Sequence, residues 1–197
     1  MSRLLIILLF LLFSTTSNAA LLEDLGSIGL AYGTHILTHE LGHYAYAEYY
    51  DMNPDIKFFH KENNNLHVGY VSVDNIPKER QFGFGASGDM ASSVLFEIAL
   101  DSYHIKPTTY NKSLIYITNY YFLLYTIYSF SFDDNNLSHD PVRMEKYSDI
   151  SKLELLSLVL LKTWINQNRI SVKSNLSSYV STGFNRDGLM WGVRYAL

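Results

Sequence analysis

The segment His39-Glu40-Leu41-Gly42-His43 limits what this chain can become more than any other. It lies within Leu25 to Tyr50, where Ile28, Tyr32, Ile36, Leu37, Leu41, Tyr44 and Ala45 recur at helical spacing and no proline intervenes before Pro54. The pattern predicts one helix of about six or seven turns. Residues four apart on a helix are offset by about 40° and by about 6 Å along the axis, so both imidazoles face one way and can share a metal ion. Glu40 follows His39 directly and can reach a metal-bound water without ligating the metal. Zinc lowers the pKa of such a water to about 7, and a carboxylate beside it takes the proton during attack on a carbonyl. The predicted reaction is therefore peptide or amide hydrolysis, with Zn2+ as cofactor, His39 and His43 as ligands and Glu40 as general base. The plainer alternative is a pair of histidines on an ordinary helix. Glycines at 26, 29, 33 and 42 weaken the helix but allow a neighbouring helix to approach closely.

A chain of 197 residues has room for one domain with a real core. It is 48% hydrophobic and only 17% charged, against a usual soluble average of about 25% charged, which leans towards membrane association. The net charge of −4 and the lack of a basic run argue against a nucleic-acid partner. No cysteine is present, so disulfides, thiolate metal sites and a cysteine nucleophile are excluded. Any metal must be held by His, Asp or Glu.

Arg3, the uncharged run Leu4 to Phe13 and the polar stretch ending Ser17-Asn18-Ala19 have the form of an export signal. The expected organisation is a signal peptide over 1–19 and a single domain over 20–197, an uncleaved anchor being the alternative. Ile56 to His60 and Leu66 to Val73, separated by Lys61-Glu62-Asn63-Asn64-Asn65, predict a β-hairpin. A helix rich in small residues follows, from Arg80 to Asp101, and its Gly83-Phe84-Gly85 lacks the strand and carboxylate context of a nucleotide loop. Ser113 to Phe132 is 20 residues without a charge, long enough to cross a bilayer, with a buried helix of a water-soluble domain as the alternative. Asp133 to Asp149 reads as a polar connection, Ile150 to Trp164 as another helix and Leu189 to Tyr195 as an edge strand.

The spelling His-Glu-Leu-Gly-His, followed by Ala45 and Ala47, resembles the intramembrane site-2 protease family of zinc metalloproteases. In that family the motif helix is followed by a β-rich hairpin, a small-residue helix and, later, an aspartate ligand. The order here is similar over about residues 25 to 140. The family's asparagine-bearing segment is not reproduced, Asp89 standing in that neighbourhood, and its Leu-Asp-Gly motif has no apolar counterpart. What the resemblance implies for the third ligand is first Asp140, whose place after the third helix fits the family's order. Asp187, which copies the Asp-Gly dipeptide, comes next, and Glu97 is the choice if the chain instead resembles soluble zincins.

Asp89 and Glu97 should face the interior or an aqueous edge, and Asp89 is either an outer partner of a metal-bound histidine or a helix N-terminal charge. His35 extends the histidine stripe, as a packing residue or a transition-state donor. His60, His67 and His104 read as exposed polar residues, and Asn119 as an interhelical hydrogen-bonding residue. The expected fold is mainly α: a bundle of about four helices with a small β-hairpin, membrane-embedded, with the motif on the first mature helix. The expected function is that of a membrane-associated zinc metalloprotease of the cell envelope acting on a peptide or membrane-protein substrate. The alternatives are a soluble, periplasmic or secreted zinc hydrolase and a zinc-binding envelope protein without proteolytic activity.

Overall fold

The motif-bearing segment forms α1, Asn18–Tyr49, a single helix of 32 residues in the computed structural model. The structure describes residues 18–62, 65–171, 178–185 and 188–195, with side-chain surroundings for 22–59 and 68–171. The expected signal peptide, 1–19, falls almost wholly outside the described residues, as does Asp187. Beyond α1 the chain reverses through Asp51 and Asn53, whose φ angles of 54° and 51° lie in the left-handed region that short polar side chains tolerate.

The reversal feeds β1, Asp55–Glu62, paired antiparallel with β2, Asn65–Ser72. This is the expected hairpin with a shorter turn, since pairing continues to Glu62 opposite Asn65. A 3-10 turn at Lys78–Arg80 leads into α2, Gln81–Ile105. Next comes α3, Thr109–Phe132, capped by the Thr108 hydroxyl, which accepts from the Asn111 N–H at 3.1 Å. Two helices follow, α4 over Asp140–Lys146 and α5 over Lys152–Ser171. The last expected strand is β4, Gly188–Tyr195, and its antiparallel partner β3, Ser178–Asn185, was not foreseen in the Ser- and Asn-rich tail.

The long helices α1, α2, α3 and α5 make the expected mainly helical bundle, with α3 in contact with the other three. One core cluster joins Ala31, Phe96, Ala99 and Ile115, and a second joins Ala86, Phe122, Met144 and Val159. A third, of Ala47, Met52, Val71 and Phe84, seats the first hairpin against α1 and α2. Asp89 pairs with Lys162 at 2.7 and 2.8 Å and Glu97 with Arg169 at 2.6 and 2.7 Å, two charge-assisted links from α2 to α5.

Two expectations need correction. The expected membrane embedding gains no support, since no helix among the described residues is long and apolar enough to cross a membrane. The run from Ser113 to Phe132 forms most of α3, which packs against the other three long helices and also leaves Tyr116, Leu124, Ile127 and Phe132 exposed. Its buried face includes Thr118, Thr126 and Ser129, whose hydroxyls donate to carbonyls one turn back at 2.7 Å. The polar connection from Asp133 to Asp149 contains α4, whose seven residues are too few to show a periodicity. Its Pro141, which reads as a breaker, sits in the first turn, where proline is tolerated.

Candidate metal centre

His39 and His43 occupy adjacent turns of α1 on the face turned towards α2, and both are buried. Gly42 lets the two helices meet: a Cβ there would lie 2.7 Å from the Ala91 Cβ and run into the Ser87 carbonyl. Gly88 does the same directly over the histidines, where an added Cβ would fall 2.5 Å from His43 Nε2 and 2.6 Å from His39 Nε2. The Gly-Phe-Gly segment is likewise helix packing, Gly83 facing Tyr46 and Gly85 facing the Asp140 carbonyl. The small residues of α2 thus leave a space at the two imidazoles that any side chain would fill.

The third group comes from α4. Asp140 is the first residue of that helix, and its Oδ2 lies 3.0 Å from His39 Nε2 and 3.2 Å from His43 Nε2. The two Nε2 atoms are 3.2 Å apart. His43 Nδ1 donates to the Phe84 carbonyl at 2.7 Å, which leaves Nε2 as the lone-pair nitrogen of the neutral ring. The Ser87 hydroxyl lies 3.0 Å from the same Nδ1, and the Ser92 hydroxyl 3.4 Å from His39 Nδ1.

Three electron-rich atoms so close repel one another unless a cation, metal or proton, lies among them. Without a metal the cation is a proton. Burial by itself lowers the pKa of His43, but the Asp140 carboxylate and then Glu40 outweigh it and raise it. Burial by itself raises the pKa of Asp140, but His43 and His39 hold it well below the usual carboxylate range. Ligands about 2.0–2.1 Å from a tetrahedral zinc stand about 3.3 Å apart, close to the three separations found. His39, His43 and Asp140 can therefore hold a metal ion.

The centre opens into a cavity of about 410 Å³ whose wall includes Glu40, Tyr121, Tyr125 and Arg143. Glycine is required at position 69 because β2 crosses directly over Glu40: a Cβ there would be 2.7 Å from Glu40 Cγ and 2.8 Å from Ile36 Cγ2. The Tyr125 hydroxyl donates to His139 Nδ1 at 3.0 Å, and His139 Nε2 in turn faces Asp133 at 3.0 Å. Burial first raises the Tyr121 and Tyr125 hydroxyls well above the ordinary tyrosine value, helped by Tyr32 and then Glu40 and Asp140 for Tyr121, and by Asp140 and then Tyr121 for Tyr125.

Among the described residues Asp140 is the carboxylate beside the histidines, while Asp187 lies outside them. Glu97 is occupied by Arg169. Asp89 fills neither expected role, since it sits inside α2 and pairs with Lys162. His35 packs, but neither ring nitrogen has a hydrogen-bond partner, and burial, with His39 and Lys162, pushes its pKa down to about 3. The Asn119 side-chain amide is also buried without a partner, so the expected interhelical hydrogen bond is absent. His104 is exposed in the last turn of α2, as expected, while the side chains of His60 and His67 lie outside the described ones.

Phe84, Ser87, Gly88 and Ser92 were not identified from sequence. Their only signal was the run of small residues from 82 to 93, which shows a close helix contact but not which turn meets His39. Replacing Gly88 by alanine is expected to weaken metal binding by more than about tenfold while leaving most of the helix content intact, since the new methyl must displace a ring nitrogen. Chelator competition followed by circular dichroism measures both, and unchanged affinity would rule out the close-packed cradle. No known protein family, curated protein or solved structure matches the chain.

Proposed function

We propose that this chain is a zinc metallopeptidase that hydrolyses peptide bonds, with His39, His43 and Asp140 as metal ligands and Glu40 as general base. The observation that carries the reading is the convergence of two imidazole nitrogens and one carboxylate oxygen, each within 3.2 Å of the other two. Two nitrogens and one oxygen suit zinc better than magnesium or calcium, which take oxygen ligands. The same donors also serve iron in oxygenases. Hydrolysis is favoured by Glu40, a further carboxylate in the cavity wall outside the ligand set.

A zinc ion held by His39, His43 and Asp140 would supply Lewis acidity, polarising a carbonyl and making water a stronger acid near neutral pH. The protein's own groups do the rest. Glu40 takes the proton of the attacking water at a carboxylate oxygen and passes it to the departing amine. The Phe84 carbonyl and the Ser87 hydroxyl fix the His43 ring, and β2 packs against Glu40 at Gly69.

The purified protein is expected to carry one zinc per chain and to cleave fluorescein-labelled casein. Cleavage should stop on treatment with 1,10-phenanthroline and return when zinc is restored. A metal-free protein, or cleavage indifferent to the chelator, would overturn the reading.

A further inference from the structure

A Lewis-acid metal and a general base leave room for a further stabilising group in peptide hydrolysis, a hydrogen-bond donor for the oxygen on which charge develops. In the step, the water oxygen bonds to the carbonyl carbon, the water proton passes to Glu40, and the carbonyl π pair moves onto oxygen. When the C=O bond re-forms, the C–N bond breaks and the amine leaves with the proton Glu40 held. Only the tetrahedral stage carries a full negative charge on oxygen, so a donor aimed at that stage accelerates the reaction without tightening substrate binding.

The cavity holds a phenol in the right state. Tyr121 of α3 shares the cavity wall with His39, Glu40 and Asp140. Its ring is fixed by its neighbours, at 4.5 Å from the His35 ring in an edge arrangement, 6.4 Å from Tyr32 and 5.9 Å from Tyr125. It is 6.1 Å, centroid to centroid, from the His39 ring. The hydroxyl makes no hydrogen bond to a described residue, and it is not among the sealed, unpaired polar atoms of the interior. It is therefore open to the cavity. Tyr125, one turn on, differs because its hydroxyl is committed to His139. His35 and Tyr32 pack against the Tyr121 ring and hold its place in the wall.

We infer that Tyr121 is a catalytic residue whose hydroxyl donates a hydrogen bond to the oxyanion of the tetrahedral intermediate. The assignment rests on the metallopeptidase reading above and adds to it a donor for the carbonyl oxygen.

The test uses the full-length zinc-loaded protein, its Tyr121→Phe variant and two probes. Inorganic phosphate stands in for a tetrahedral oxyanion, with its Kd read by calorimetry, and fluorescein-labelled casein reports turnover. Phenylalanine keeps the ring packed against His35 and Tyr32, so zinc content and Tm should match the parent. The expected result is a phosphate Kd weakened about tenfold, and a casein kcat lower by about 100-fold with KM within about twofold. A variant with parental phosphate affinity and parental kcat overturns the Tyr121 assignment and leaves the metallopeptidase reading standing. A parent protein that holds no zinc overturns that reading, and the Tyr121 assignment with it. The phosphate measurement needs no turnover and decides the role of Tyr121 even if casein is not cleaved; a change in KM alone, with phosphate binding intact, counts against it.

Discussion

Asp140→Ala is expected to bring bound zinc from one per chain to none after dialysis, with affinity lowered by more than about 100-fold and hydrolysis lost. The carboxylate is the one ligand that does not belong to α1, and it lies 3.0 and 3.2 Å from the two ring nitrogens. Without it, His39 and His43 form a two-ligand site, which three-ligand geometry outcompetes by a wide margin. The α4 backbone should survive, because Pro141 and the buried Val142 and Met144 are untouched. Asp187→Ala is the matched control. It should keep its zinc, and a reversed result, with zinc lost from the Asp187 variant and kept in the Asp140 variant, would move the third ligand to the tail.

The second large effect separates binding from chemistry. Glu40→Gln should retain one zinc and lose about 10²–10⁴ in kcat, the range that a positioned general base contributes. Glutamine preserves the shape that packs beneath Gly69, so the roof over the site should stay in place. What disappears is a group able to hold a proton between the attack and the departure of the amine. Metal analysis by mass spectrometry and single-turnover cleavage of labelled casein measure the two quantities apart. Retained zinc with undiminished cleavage would show that some other group moves the proton.

Much of the site was legible in the sequence because helical spacing is a geometric guarantee. Once Leu25 to Tyr50 reads as a helix, His39 and His43 must share a face, whatever packs against it. Asp140 was less accessible, standing 97 residues from His43 on a helix of seven residues, and position alone ranked it above Asp187 and Glu97. Glu97 could be set aside only when Arg169 was seen beside it, a pairing between residues 72 apart. The uncharged run of α3, its exposed Tyr116, Leu124 and Ile127 included, is a pattern that a packed bundle helix and a membrane-spanning one share. Length alone cannot separate the two, whereas the hydroxyls that α3 folds back onto its own carbonyls lower its apolarity.

The derivation of Asp140 from α4 has a consequence beyond ligand identity. A cation gripped by His39, His43 and Asp140 joins two points nearly 100 residues apart, in a chain with no cysteine. Cross-links over such spans remove about 4–5 kcal/mol of chain entropy from the unfolded ensemble in the loop-closure picture. On the proposed reading the ion would be a reversible staple as well as a reagent. Its capture would make the assembly of the site and the fastening of the late segment to the first helix one cooperative event. A copy that has not acquired metal would be both inert and easier to unfold, so that quality control and activation read the same signal.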